Sequence, residues 1–71
     1  MSNEQLIRKI GKAYGAVYEM GDGALDILTD QPEYRKWLDA GHGDDYLEGL
    51  DKLALTALLE DIYLVIEEYA W

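Results

Sequence analysis

Leu53-Ala54-Leu55-Thr56-Ala57-Leu58-Leu59-Glu60-Asp61-Ile62-Tyr63-Leu64-Val65-Ile66-Glu67-Glu68-Tyr69 decides the fold. Leu55, Leu58, Ile62, Val65 and Tyr69 recur at spacings of three and four, the period of one helix face, and Leu59 and Ile66 widen it. Such a stripe is a core face and needs a second apolar stripe to pack on. Leu6, Ile10, Ala13, Val17 and Met20 supply one and predict a first helix over 4–20. Ser2-Asn3-Glu4-Gln5 reads as a capping box ahead of it, and Gly21 suits the left-handed position past its end. The chain therefore reads as all-α: a small helical bundle of three to four helices, with a long C-terminal helix packed on the N-terminal helix. No alternating run is long enough to propose a strand, and no internal repeat is present.

Between the two stripes the signals are shorter. Asp22 can cap a helix over Ala24–Leu28. Asp30-Gln31-Pro32-Glu33 is another start signal, leading into Glu33–Ala40 with Tyr34, Trp37 and Leu38 on one side. Gly41-His42-Gly43 ends that segment and reads as the most flexible link. Asp44 and Asp45 cap the last helix and put negative charge at its positive end. Gly49 weakens its start and Asp51 falls in the buried arc, so 49–51 reads as a kink or fresh start with Asp51 as a second cap. Gly11 and Gly15 share a face of the first helix. They are either tolerated at a cost of about 1 kcal/mol each or mark the close approach of a neighbouring backbone or ring.

Seventy-one residues make one acidic helical domain, 1–71. Chains of this size bury only about 60% of their unfolded surface. With no Cys there are no disulfides and no thiolate zinc sites, and the single His42 cannot build a His-rich metal site. Helix packing or oligomerisation remain as stabilising routes. An apolar content of 49% argues for a folded domain rather than a disordered acidic tail. Met1–Gln5 lacks the start of a signal peptide, and no run approaches about 18 apolar residues, so a cytoplasmic location is expected.

Charge is split along the chain. Residues 1–20 carry Arg8, Lys9 and Lys12 against Glu4 and Glu19, a net of +1. Residues 37–71 carry nine acids against Lys52 alone, within an overall net charge of −9. Such a field repels nucleic acid and anionic membranes and speeds encounter with basic protein surfaces. The expected partner is therefore a basic protein surface, that of a nucleic-acid-binding protein included. Direct nucleic-acid or membrane binding is not expected. Arg8, Lys9 and Lys12 lack interleaved aromatics and are expected to pair with acids of the last helix.

The last helix has a second apolar set: Tyr46, Leu53, Ala57, Leu64 and Trp71, lying about 120° or more around the helix from the core stripe. Glu60 and Glu67 flank it on one side, Asp61 and Glu68 on the other. Either the chain's own short helices bury this set, or another molecule shares it, as in a symmetric homodimer. The acidic pairs stand seven residues apart, about 10.5 Å along the axis. A row of carboxylates on a rigid helix can occupy a groove built for a phosphate backbone, or can simply solubilise the chain. Six Tyr and two Trp with no Phe also fit an interface, and Tyr46, Tyr63 and Trp71 are the expected contact residues.

No catalytic constellation emerges. Asp44, Asp45 and Glu48 do not form a calcium-loop pattern, Gly21-Asp22-Gly23-Ala24 lacks the lysine of a phosphate loop, and His42 has no candidate nucleophile beside it. His42 is expected exposed, with Asp39, Asp44 and Asp45 favouring its charged form. No enzyme, no cofactor and no metal are expected. In size and charge the chain resembles small acidic helical inhibitors, such as phage-encoded anti-CRISPR proteins, other anti-restriction proteins and bacteriocin immunity proteins. That resemblance implies a stoichiometric inhibitor whose acidic face (Asp44, Asp45, Glu48, Glu60, Asp61, Glu67 and Glu68) enters a basic nucleic-acid-binding groove of a nuclease or defence effector. The alternative is a homodimeric structural or adaptor protein that uses Tyr46, Leu53, Ala57, Leu64 and Trp71.

Overall fold

The computed structural model describes residues 1–69. Trp71, an expected contact residue, lies outside the described residues. The fold is all-α, with α1 (Asn3–Met20), α2 (Asp22–Thr29), α3 (Pro32–Asp39), α4 (Asp44–Glu48) and α5 (Lys52–Tyr69). Among the described residues there are thus five helices rather than three to four. The predicted last helix is two, because the break at 49–51 is complete. Gly49 closes α4, and the Asp51 carboxylate accepts from the Ala54 N–H at 2.8 Å to start α5 afresh.

α1 and α5, 18 residues each, pack along one another and hold the centre of the molecule. The α1 start is the predicted reciprocal box: Gln5 N–H donates to Ser2 Oγ at 3.2 Å, and Ser2 N–H donates to Gln5 Oε1 at 2.9 Å. Leu6, Ile10, Ala13 and Val17 are buried against Leu55, Leu58, Leu59, Ile62 and Val65 in one cluster. Ala24 and Leu28 of α2, Tyr34 and Trp37 of α3, and Leu47 of α4 close that cluster. Leu38, expected beside Tyr34 and Trp37, is exposed.

Gly21 ends α1 at φ 106 and is also the residue from which α2 starts, so the two helices join with no loop. The expected Asp22 cap is not made; Asp22 is the first helical residue of α2 and lends only its charge there. Tyr69, predicted as core, is exposed, with its ring lying beside Gly23 of α2. A Cβ at Gly23 would lie 2.6 Å from the Tyr69 hydroxyl oxygen. Gly23 therefore permits the close approach that was weighed for Gly11 and Gly15. Those two have nothing within 4 Å of where a Cβ would stand.

The start of α3 departs from expectation as well. Asp30 forms no capping box with Glu33. Gln31 is the N-cap and its side chain makes no cap bond. The Glu33 N–H instead donates to Asp61 Oδ2 at 2.9 Å, so α5 caps α3 across 28 residues of chain.

Candidate docking face

Three ion pairs occur among the described residues, each inside one helix: Arg8–Glu4 at 3.9 Å, Arg35–Asp39 at 3.2 Å and Lys36–Glu33 at 3.1 Å. The expected pairing of Arg8, Lys9 and Lys12 with acids of the last helix is absent. α1 and α5 meet through their apolar stripes, so their charged faces point away from each other. Asp44, Asp45 and Glu48 stand exposed on α4, and Glu60, Glu67 and Glu68 stand exposed on α5, none in an ion pair among the described residues. Asp61 differs from its neighbours: it is half-buried and spends one oxygen on α3. Asp44 and Asp45 sit in the first turn of α4 without a side-chain cap bond, so their contribution there is charge alone.

The apolar set divides in the same way. Tyr46 lies on α4, half-buried against the core, and the break at 49–51 takes it off the α5 face. The predicted grouping of Tyr46 with Leu53, Ala57 and Leu64 requires one unbroken helix and does not form, because α4 and α5 are separate. Ala57 is half-buried. Leu53 is 81% exposed, and Leu64 and Tyr63 are exposed at 43% and 42%. Together with Glu60, Glu67 and Glu68 they make an outer face on α5 that stands exposed among the described residues.

His42 is a further correction. Its ring stacks on Trp37 with centroids 3.8 Å apart and planes at 16°, and lies 4.6 Å from the Tyr14 ring. Its Nε2 is buried without a hydrogen-bond partner, and burial lowers its pKa below the ordinary value, so the charged form is disfavoured. The backbone causes this placement. Gly41 at φ 99 and His42 at φ 62 close α3, with Gly41 N–H donating to Leu38 and His42 N–H to Trp37. That is a Schellman ending, in which the residue two past the cap packs on the one five before it. Trp37 Nε1–H completes the corner by donating to the Gly43 carbonyl at 3.0 Å. Tyr34, beside Tyr14 in the same cluster, has its pKa pushed up to about 12, first by burial and then by the Tyr14 hydroxyl. Sequence reasoning missed this cluster, although glycine four residues after a tryptophan at a helix end was a usable signal.

Among the described residues no three His, Cys, Asp or Glu side chains converge to hold a metal ion, and no helix is long and apolar enough to cross a membrane. A shallow groove of about 530 Å³, lined by Asn3, Glu4, Ile7, Arg8 and Glu48, runs between α1 and α4 and carries mixed charge. The chain matches no family model, no curated protein and no solved structure.

Proposed function

We propose that the protein is a non-enzymatic, cytoplasmic, stoichiometric inhibitor that docks the outer face of α5 on a basic nucleic-acid-binding surface of a nuclease or defence effector. The reading is of the anti-CRISPR or nucleic-acid-mimic kind. The observation that carries it is the position of Glu67 and Glu68. They occupy the last turn of α5, where the helix dipole is negative and no basic residue compensates. Each acid so placed costs about 0.3–1 kcal/mol. Solubility alone favours acids that stabilise their helix, so a misplaced, unpaired pair is better explained by a cation that arrives from outside.

The remaining geometry supports the same reading. Glu60 and Glu67 stand about 10.5 Å apart on one rigid helix. Leu53, Tyr63 and Leu64 supply apolar area within a charged border, the usual anatomy of a protein interface. The exposed leucines also favour, as a second reading, the symmetric homodimer through Leu53, Ala57 and Leu64. Its weakness is that two such faces bring Glu60, Glu67 and Glu68 against their own copies.

The test is capture from the native host at low salt with Glu60, Glu67 and Glu68 changed to Gln, leaving Asp61 in place because it caps α3. A basic nucleic-acid-binding protein that the wild type retains and the variant loses supports the proposal. Equal capture by both chains refutes it.

A further inference from the structure

α1 and α5 each turn their apolar stripe toward the other, so the faces opposite those stripes look out on opposite sides of the molecule. The α5 side is acidic and carries protruding Leu53 and Leu64. The α1 side is its complement. Arg8, Lys9 and Lys12 line a shallow groove of about 350 Å³ with Met1 and Gln5, in a chain whose other regions are acidic. Glu4 pairs with Arg8 at 3.9 Å and Glu48 of α4 shares the neighbouring groove with Arg8, which leaves Lys9 and Lys12 without an ion pair among the described residues. Next to these cations the surface is smooth, since nothing lies within 4 Å of a Cβ at Gly11 or Gly15.

We infer that a second copy of this chain occupies the outer face of α5, presenting its α1. Arg8 and Lys12 lie opposite Ile10 and Val17, about 6 Å apart along α1, and Glu60 and Glu67 flank Leu64 opposite Ile62, about 10.5 Å apart along α5, a difference the long Arg and Lys stems can span. Laid together, the two helices set cations against acids and give Leu64 the smooth glycine surface to enter. Like faces pair less favourably, because α5 on α5 opposes acids and α1 on α1 opposes cations. The contact is therefore head-to-tail, and with its two halves on opposite sides of the molecule it builds open chains rather than a closed dimer. The net charge of −9 opposes assembly over the whole molecule. At about 0.1 M salt the screening length is ~10 Å, shorter than the 31 Å long dimension, so overall repulsion fades while the contact pairs persist. This inference uses the face of the proposed function but needs no foreign partner, and a second copy competes with that partner.

Sedimentation equilibrium from 10 µM to 1 mM at about 0.1 M salt tests it. The wild-type mass is expected to climb past 8.1 kDa with concentration, without a plateau at two chains, and to return to one chain near 1 M salt. Arg8→Gln/Lys12→Gln leaves only the α5 side intact, and Glu60→Gln/Glu67→Gln leaves only the α1 side. Each variant alone is expected to associate about tenfold more weakly. Mixed in equal amounts they are expected to regain one contact and stop at two chains. Circular dichroism confirms that both remain folded. A wild type that stays monomeric at 1 mM, a plateau at two wild-type chains, or a mixture no heavier than its components overturns the inference. Capture of a basic host protein by a strictly monomeric chain would leave the proposed function standing and this inference refuted.

Discussion

The corner at residues 37–43 and the outer face of α5 both mix large apolar or aromatic side chains with polar ones. In the corner each is used internally. Trp37 is buried and donates to Gly43, His42 stacks on it, and the two left-handed residues close α3. On α5 the opposite holds: Leu53 stands 81% exposed, and Glu67 and Glu68 oppose their own helix dipole without a neighbouring cation. The corner shows that unusual local features in this chain can be consumed by its fold. The α5 face has features the fold leaves unconsumed, and those are what a partner can take up.

The largest effect expected from breaking this contrast is at Trp37. Trp37→Ala removes a ring that is 3% exposed, its bond to Gly43 and the stacking surface of His42. Aromatic-to-alanine changes in cores cost about 3–5 kcal/mol, comparable to the whole stability of a small domain. Urea unfolding followed by circular dichroism should show a chain largely unfolded in water. Leu53→Ala, the same test on the α5 face, should move the midpoint within about 0.5 kcal/mol. A comparable loss from both would mean that the α5 face is covered after all.

The next effect separates two adjacent acids. Asp61→Ala strips the cap from α3 and is expected to cost about 1–2 kcal/mol, whereas Glu60→Ala should change stability by under about 0.5 kcal/mol. If both are silent, the α3 start is satisfied by water and Asp61 rejoins the docking face.

These cases also show what the sequence made legible. The α1 box, the Asp51 restart and the two core stripes short of their C-terminal members, Met20 and Tyr69, depend on residues within four positions of each other, and they appear in the structure where the spacing put them. What was hidden depends on distance. Asp61 meets its partner 28 residues away, and Gly23 is held to glycine by a tyrosine at the far end of α5. Tyr46 was misplaced for a different reason: extrapolating one helical phase across Gly49–Asp51 carries an angle through a break that resets it. The exposed acids were legible as residues, but that they would remain unpaired required knowing that α1 turns its cations the other way.

Glycine gives a smaller contrast. Gly11→Ala fills open space on a helix and should stabilise by about 1 kcal/mol. Gly23→Ala lies in the first turn of α2, gains less from helix propensity and must displace the Tyr69 ring, so its net change should be smaller or negative. Thermal unfolding of the two variants side by side decides this. Equal gains would show that Tyr69 swings away freely.

The smallest expected effect is the pH response of His42. Burial holds its pKa in the native chain below the ordinary 6.5, while the unfolded chain titrates near that value. Between the two, the unfolded chain carries the proton and the native chain does not, so stability rises with pH across that window. The contribution is complete above pH 6.5 and is lost as pH falls through the native value. Tyr14 from α1 and Tyr34 from α3 face the ring, and the Tyr34 hydroxyl, pushed up to about 12 by burial, does not titrate in this range. Acidification also relieves the repulsion of a chain with net charge −9, which acts in the opposite direction. His42→Asn tolerates the left-handed backbone at φ 62 and carries that background without the imidazole. The wild-type urea midpoint should therefore fall relative to His42→Asn as pH is lowered through the window. If it rises instead, Asp39, Asp44 or Asp45 reaches the protonated ring in solution, and the corner is an electrostatic site rather than a packed one.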